Sequence, residues 1–187
     1  MPFIEEYLES LKKCLEELSV ADIEEVSGIV FEAYKKGNRT FIMGNGGSAT
    51  TAMHMARDLQ IGTVIPGKPR LRATSLADNV AFITAIANDV DYNSIFTEQL
   101  IGQMKEGDVV IGISASGNSP NVLKAIEYAN DNGAVTIGII GFGGGKLKGL
   151  AQKSIVLSKN NYQQVEDVHM TLAHIIPCWI KEKINEL

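Results

Sequence analysis

The chain has 187 residues, 45% of them hydrophobic and 21% charged, enough for one domain with a substantial core and ordinary for a globular protein. Seventeen Lys+Arg against 22 Asp+Glu leave a formal net charge of -5. That balance argues against a protein whose affinity comes from blanketing nucleic-acid phosphates, so no direct nucleic-acid partner is expected.

Ile4, Leu8, Leu11, Leu15 and Leu18 recur at spacings of three and four, which predicts a first helix over 4–18. Ile23, Val26, Val30 and Tyr34 predict a second over 21–36, with Gly37 as its stop. Alternation follows: a strand at 40–43, a glycine loop and helix at 49–60, a strand at 72–76, and helices at 80–87 and 94–105. Strands at 108–113, 135–140 and 154–157 are separated by a helix at 120–132 and a short one at 146–151. A long helix, 165–187, closes the chain. Continuous apolar strands alternating with helices predict an α/β fold with a mostly parallel sheet covered on both faces. Such sheets bind ligands at the carboxyl ends of their strands. No repeat or linker interrupts the pattern, and no stretch has the length and apolarity of a membrane span. The acidic amphipathic start lacks a signal-peptide core, and Cys14 and Cys178 sit in helical patterns as reduced thiols; a cytoplasmic protein without a membrane partner is expected.

Two loops suit an anion. Gly44-Asn45-Gly46-Gly47-Ser48-Ala49 joins the first strand to its helix, where glycines admit a ligand to backbone N–H groups and a helix N-terminus; a plain turn satisfies the same residues. No acidic residue closes a strand about twenty residues on, which disfavours a dinucleotide site. Ser114-Ala115-Ser116-Gly117-Asn118-Ser119-Pro120 follows a buried strand and offers three hydroxyls, although Ser119 also suits a helix N-cap.

The runs GNGGSATTAMHMARDL, TAIAND, GDVVIGISASGNSPNVLKAIEYA and VEDVHMTLAHII, in that order and spacing, resemble the SIS-domain family, specifically its phosphoheptose isomerase branch. The resemblance implies an open five-stranded parallel sheet in a flavodoxin-like three-layer sandwich. The whole chain, 1–187, would be one SIS domain: extra N-terminal helices in 1–37, an α/β core in 38–160, and a long C-terminal helix in 161–187. It implies a homotetramer with active sites shared between subunits and a phosphorylated sugar, most directly sedoheptulose 7-phosphate, as substrate. Ser114, Ser116 and Ser119 would hold the phosphate, and Asn45 and Ser48 the sugar. Gly46, Gly47, Asp89, Ala115, Asn118 and Glu166 complete the implied binding set. Ala115 stands where many relatives carry Thr.

Of three histidines, His54 lies four residues before Asp58 on one helix face, a spacing that suits a shared metal or a mutual hydrogen bond. On the last helix Glu166 and His174 are separated by about 12 Å of rise, so they meet at one site only if the helix start bends or different subunits supply them. Pro177 removes a helix N–H beside His174 and favours a kink there. His169 reads as an ordinary buried histidine.

Aldose–ketose isomerisation needs a base between C1 and C2, an acid between the oxygens, and stabilisation of an enediol(ate). The resemblance implies Asp58 as base and His174 as acid. It also implies zinc, or another divalent cation, on His54, Asp58, Glu166 and His174. Three further positions depart from the family pattern: Asp58 replaces the usual Glu, Glu166 the usual Gln, and Gly62 an Arg. The competing class is a non-catalytic sugar-phosphate-binding SIS protein, a regulator or an adaptor for a replication initiator, which has no need of His54 and His174.

Overall fold

A computed structural model describes residues 2–187. Helix α1 (Phe3–Glu16) and helix α2 (Val20–Lys35) precede the sheet. Ser19 caps α2 by accepting the Asp22 N–H at 3.2 Å, and Val26 and Val30 bury its inner face. Most of the α1 stripe is not buried within the chain: Phe3, Ile4 and Leu8 are 77%, 70% and 59% exposed, and only Cys14 is fully covered.

The sheet comprises β1 (Arg39–Met43), β2 (Arg72–Ser75), β3 (Val109–Ser114), β4 (Val135–Ile140) and β5 (Lys153–Val156). Every pairing is parallel and the order is β2-β1-β3-β4-β5. The connecting helices are α3 (Gly47–Arg57), α4 (Val80–Asp89), α5 (Thr97–Ile101), α6 (Pro120–Asp131) and α7 (Leu147–Leu150), and α8 (Tyr162–Asn185) ends the fold. The five-stranded parallel α/β sandwich expected from the alternation is the observed one.

Period-two alternation sorts the strand side chains between two cores. Ile42 and Ile111 face a cluster with Val26, Val30, Met55, Leu172, Ile176 and Ile180 from α2, α3 and α8. Their neighbours Phe41, Met43 and Val110 face the opposite layer with Phe96, Leu100, Val122 and Ile126. Each such fully buried side chain contributes about 1.5–3 kcal/mol of transfer free energy. Among the described residues no helix is long and apolar enough to cross a membrane.

Several boundaries differ from the expectation for local reasons. The helix expected over 94–105 is reduced to α5, preceded by a 3-10 turn, Tyr92–Ser94, that the Asp91 carboxylate braces by accepting the Ser94 hydroxyl at 2.6 Å. Gly102 caps α5 and stops it short. The helix from the glycine loop ends at Arg57 and relaxes into a π turn, Asp58–Gly62. Helix α8 starts at Tyr162 because Asn161 accepts the Gln164 N–H at 3.0 Å, and it continues helically through Pro177.

Sequence order and spatial order disagree at one place. From β1 the chain moves outward to β2, then returns to lay β3 on β1's other side. The β1 and β3 carboxyl ends therefore open side by side at a topological switch point, where ligands of open α/β sheets bind.

Candidate active site

Both polar loops emerge at that switch point. They line one cavity of about 170 Å³ with Asn45 and Ser48 from the β1 loop, Ser114, Ala115, Ser116 and Ser119 from the β3 loop, and Tyr162 and Glu166 from α8. No Lys or Arg is in that lining. An anion there is met by hydroxyls and by the positive end of α6, whose first residue is Pro120. The Ser119 hydroxyl makes no capping bond; it lies 3.2 Å from the Ser114 hydroxyl, so the N-cap alternative does not describe its side chain. The Ser114 hydroxyl also accepts the Gly117 N–H at 3.0 Å.

The loop's shape depends on close backbone approach. Gly117 has φ +64, and a Cβ there would lie 2.1 Å from the Gly144 carbonyl oxygen. Asn118 braces the same contact: its Nδ2 donates to the Ser116 carbonyl at 2.9 Å, and its Oδ1 accepts the Lys146 N–H at 3.1 Å. Both ends of this amide serve the loop, so Asn118 shapes the cradle rather than reaching into it.

A second group lies where α3 and α8 run side by side. The His54 and His174 Nε2 atoms are 2.8 Å apart, and Asp58 Oδ2 is 3.2 Å from His54 Nε2. The other Asp58 oxygen accepts a hydrogen bond from Arg57. One ligand atom from each of His54, Asp58 and His174 falls within 4.8 Å of the others. Two imidazoles and one carboxylate this close together are a donor set that suits a divalent metal ion. Near these residues in sequence, Met53, Ile61 and Ile175 are exposed apolar side chains, at 37%, 53% and 39%.

Within one chain Glu166 is not part of that group. Its carboxylate lies against Gly47 at the start of α3, inside the serine cavity, while His174 meets His54 further along both helices. Gly46 is the N-cap of α3, with φ +54. Asp89 ends α4, exposed, and accepts from Asn88 Nδ2 at 2.8 Å; it is not in the cavity lining. Sequence reasoning missed three contributors: Tyr162 in the lining, Arg57 on Asp58, and Asn121, whose side chain pairs with Asn45. Only Asn121 left a signal, its place directly after the serine run.

A larger cavity of about 450 Å³ lies between α2 and the starts of β3 and β4. Apolar surface dominates its lining, which holds no histidine or hydroxyl and stands at the opposite ends of the strands from the polar loops. The switch-point cavity, though smaller, carries the convergent polar groups that a functional site needs.

A doubly wound sheet with a hydroxyl-lined cavity at its switch point defines a class of α/β ligand-binding domains. The SIS domain family matches residues 3–141, and the chain belongs to that family. It is 40% identical over 160 residues to the phosphoheptose isomerase of Citrifermentans bemidjiense, covering 86% of this chain and 82% of that one. The phosphoheptose isomerase of Aquifex aeolicus is 35% identical over 176 residues, 94% of this chain and 92% of the relative. The structure of phosphoheptose isomerase from Neisseria gonorrhoeae superposes with a TM-score of 0.87 at 25% identity, covering 96% and 95% of the two chains.

Proposed function

We propose that this protein is an aldose–ketose isomerase of a phosphorylated sugar, interconverting sedoheptulose 7-phosphate and D-glycero-D-manno-heptose 7-phosphate. The relatives carry the name of this reaction at up to 40% identity over most of both chains. The observation that carries the reading beyond resemblance is the meeting of His54, Asp58 and His174. A binding module needs the serine cradle but not an acid–base group.

In this reading Ser114, Ser116 and Ser119 hold the phosphate, and Asn45 and Ser48 hold the sugar. Asp58 takes a proton from C1 of the ketose and returns one to C2. His174 exchanges the hydroxyl proton between O1 and O2, so the carbonyl moves from C2 to C1 without net loss of protons. His54, Asp58 and His174 suit a divalent cation, with zinc the best fit to the donors; when bound it supplies a positive charge that stabilises the enediolate.

The site is shared between copies in a homotetramer. The cavity of one chain is small against the roughly 300–1,000 Å³ usual for ligand sites. Glu166 of one copy then completes the ligand set of another copy's His–Asp–His group, and the exposed Met53, Ile61 and Ile175 are covered where the copies meet. The whole chain acts as one SIS domain, in the cytoplasm. The test is turnover of sedoheptulose 7-phosphate by the purified protein, followed by product formation. Phosphate-dependent binding without any aldoheptose phosphate would leave only the binding role.

A further inference from the structure

Asn45 and Asn121, 76 residues apart, hold each other through a closed pair of amide hydrogen bonds. Asn45 Nδ2 donates to Asn121 Oδ1 at 2.9 Å, and Asn121 Nδ2 donates back to Asn45 Oδ1 at 2.9 Å. One further bond fixes which end of the Asn121 amide is the oxygen, and the reciprocal pairing then fixes Asn45. The Val122 N–H donates to Asn121 Oδ1 at 2.9 Å, where a side-chain NH2 would meet it donor to donor. The Tyr92 hydroxyl donates to Asn45 Oδ1 at 3.1 Å. Asn121 is 1% exposed, so its amide has no water to turn to if the pair opens.

An amide oxygen accepts about two hydrogen bonds and an amide nitrogen donates two. The Asn45 oxygen is filled by Asn121 and Tyr92. One of its N–H groups goes to Asn121, and the other is uncommitted on a residue that lines the serine cavity. Asn45 in this setting can offer a ligand a donor and no acceptor. An inverted amide would turn a carbonyl toward the ligand and repel a sugar oxygen that carries developing negative charge.

We infer that Asn121 and Tyr92 are positioning residues that lock Asn45 as an N–H donor to an acceptor oxygen of the sugar. The inference rests on the isomerase reading for its kinetic consequence, but the lock itself is a property of the unliganded protein. Tyr92 reaches the site because its turn is tied down: Lys124 Nζ on α6 donates to the Ser94 hydroxyl at 2.7 Å, and that hydroxyl donates to Asp91.

The experiment uses the full chain with Asn121→Ala and Tyr92→Phe, and reads three quantities. The first is hydrogen exchange of the Asn45 side-chain NH2 by 15N NMR, which should quicken in both variants. The second is turnover: kcat should fall about 10-fold in Asn121→Ala and about 3-fold in Tyr92→Phe, with KM within about twofold, as expected for a misaligned donor. The third is inhibition by inorganic phosphate, which should be unchanged because the serine cradle is untouched. Tyr92 is exposed and Phe keeps its ring, so Tyr92→Phe decides the matter if Asn121→Ala fails to fold. Unchanged NH2 exchange, unchanged kcat, or phosphate affinity falling in step with kcat would each overturn the inference. A wild-type protein inert toward sedoheptulose 7-phosphate contradicts the isomerase reading instead, and the NH2 exchange then decides the lock alone.

Discussion

Glu166 rests against Gly47 so closely that a methyl group on Gly47 would lie 2.3–2.4 Å from its carboxylate. The absence of a side chain at the start of α3 is what admits Glu166 to the serine cavity. Gly47→Ala should therefore push Glu166 out of the cavity without harming the fold. The clashing atoms are the far end of a flexible side chain, and Ala favours a helix over Gly by about 1 kcal/mol in the interior and less at its first residue. The expected result is an unchanged or slightly raised melting temperature with activity reduced at least about 10-fold, as for a misplaced site residue. Thermal melting beside a turnover assay separates the two effects.

Asp58→Asn and His174→Ala should each abolish turnover and leave the melting temperature within a few degrees. Both side chains lie on the surface group between α3 and α8 rather than in the core, so their loss opens no cavity. A chelator should reduce activity in the same way, with recovery on adding zinc. Activity retained in either variant would remove that residue from the acid–base role.

Ser119→Ala should weaken binding of inorganic phosphate by roughly 10-fold or more, the scale of one hydrogen bond to a charged group. Its hydroxyl makes no helix-capping bond, so the loss should not be accompanied by the destabilisation that follows removal of a cap. Phosphate affinity by calorimetry, paired with a denaturation midpoint, tests this. A loss of stability of about 1 kcal/mol with unchanged affinity would return Ser119 to a structural role.

His169 gives the fold a dependence on pH separate from the chemistry. It is 1% exposed, and burial holds its pKa down at about 4, below the ordinary 6.5. The Ile140 carbonyl opposes that shift in part, yet neither ring nitrogen has a partner in hydrogen-bonding geometry. A histidine depressed in the folded state is neutral there while its unfolded form takes up a proton first. The unfolded chain thus binds more protons between pH 6.5 and 4, and stability falls as the pH drops through that window. The loss from this residue is about 3 kcal/mol, complete near pH 4. Urea midpoints from pH 7.5 to 4.5 should show the slope, and His169→Leu should flatten it.

The alternation of apolar runs with helical stripes was enough to place all five strands, most plainly β3 and β4, whose VVIGIS and VTIGII are the continuous apolar runs of strands buried on both faces. The two polar loops were equally legible, since each follows such a strand directly. Less legible was whatever depends on residues far apart in the chain. Nothing local announces that Asn45 meets Asn121 or that Tyr92 folds back onto both. The shortening of the helix after Asp91 was hidden for a related reason: the apolar stripe through Phe96 and Leu100 continues, while a side-chain brace at Asp91 and Gly102 set the ends. Glu166 shows the limit most clearly. Its spacing from His174 left only a bent helix start or a second subunit to bring the two together, but which neighbour Glu166 would touch, Gly47, lay on another helix.

The most direct test of the proposed chemistry is NMR of sedoheptulose 7-phosphate incubated in deuterated water with the purified protein and zinc. Deuterium entering C1 of the ketose together with aldoheptose phosphate, and neither in Asp58→Asn, is the expected result. Phosphate-dependent binding with no deuterium at C1 would contradict it and leave a protein that holds the sugar phosphate without isomerising it.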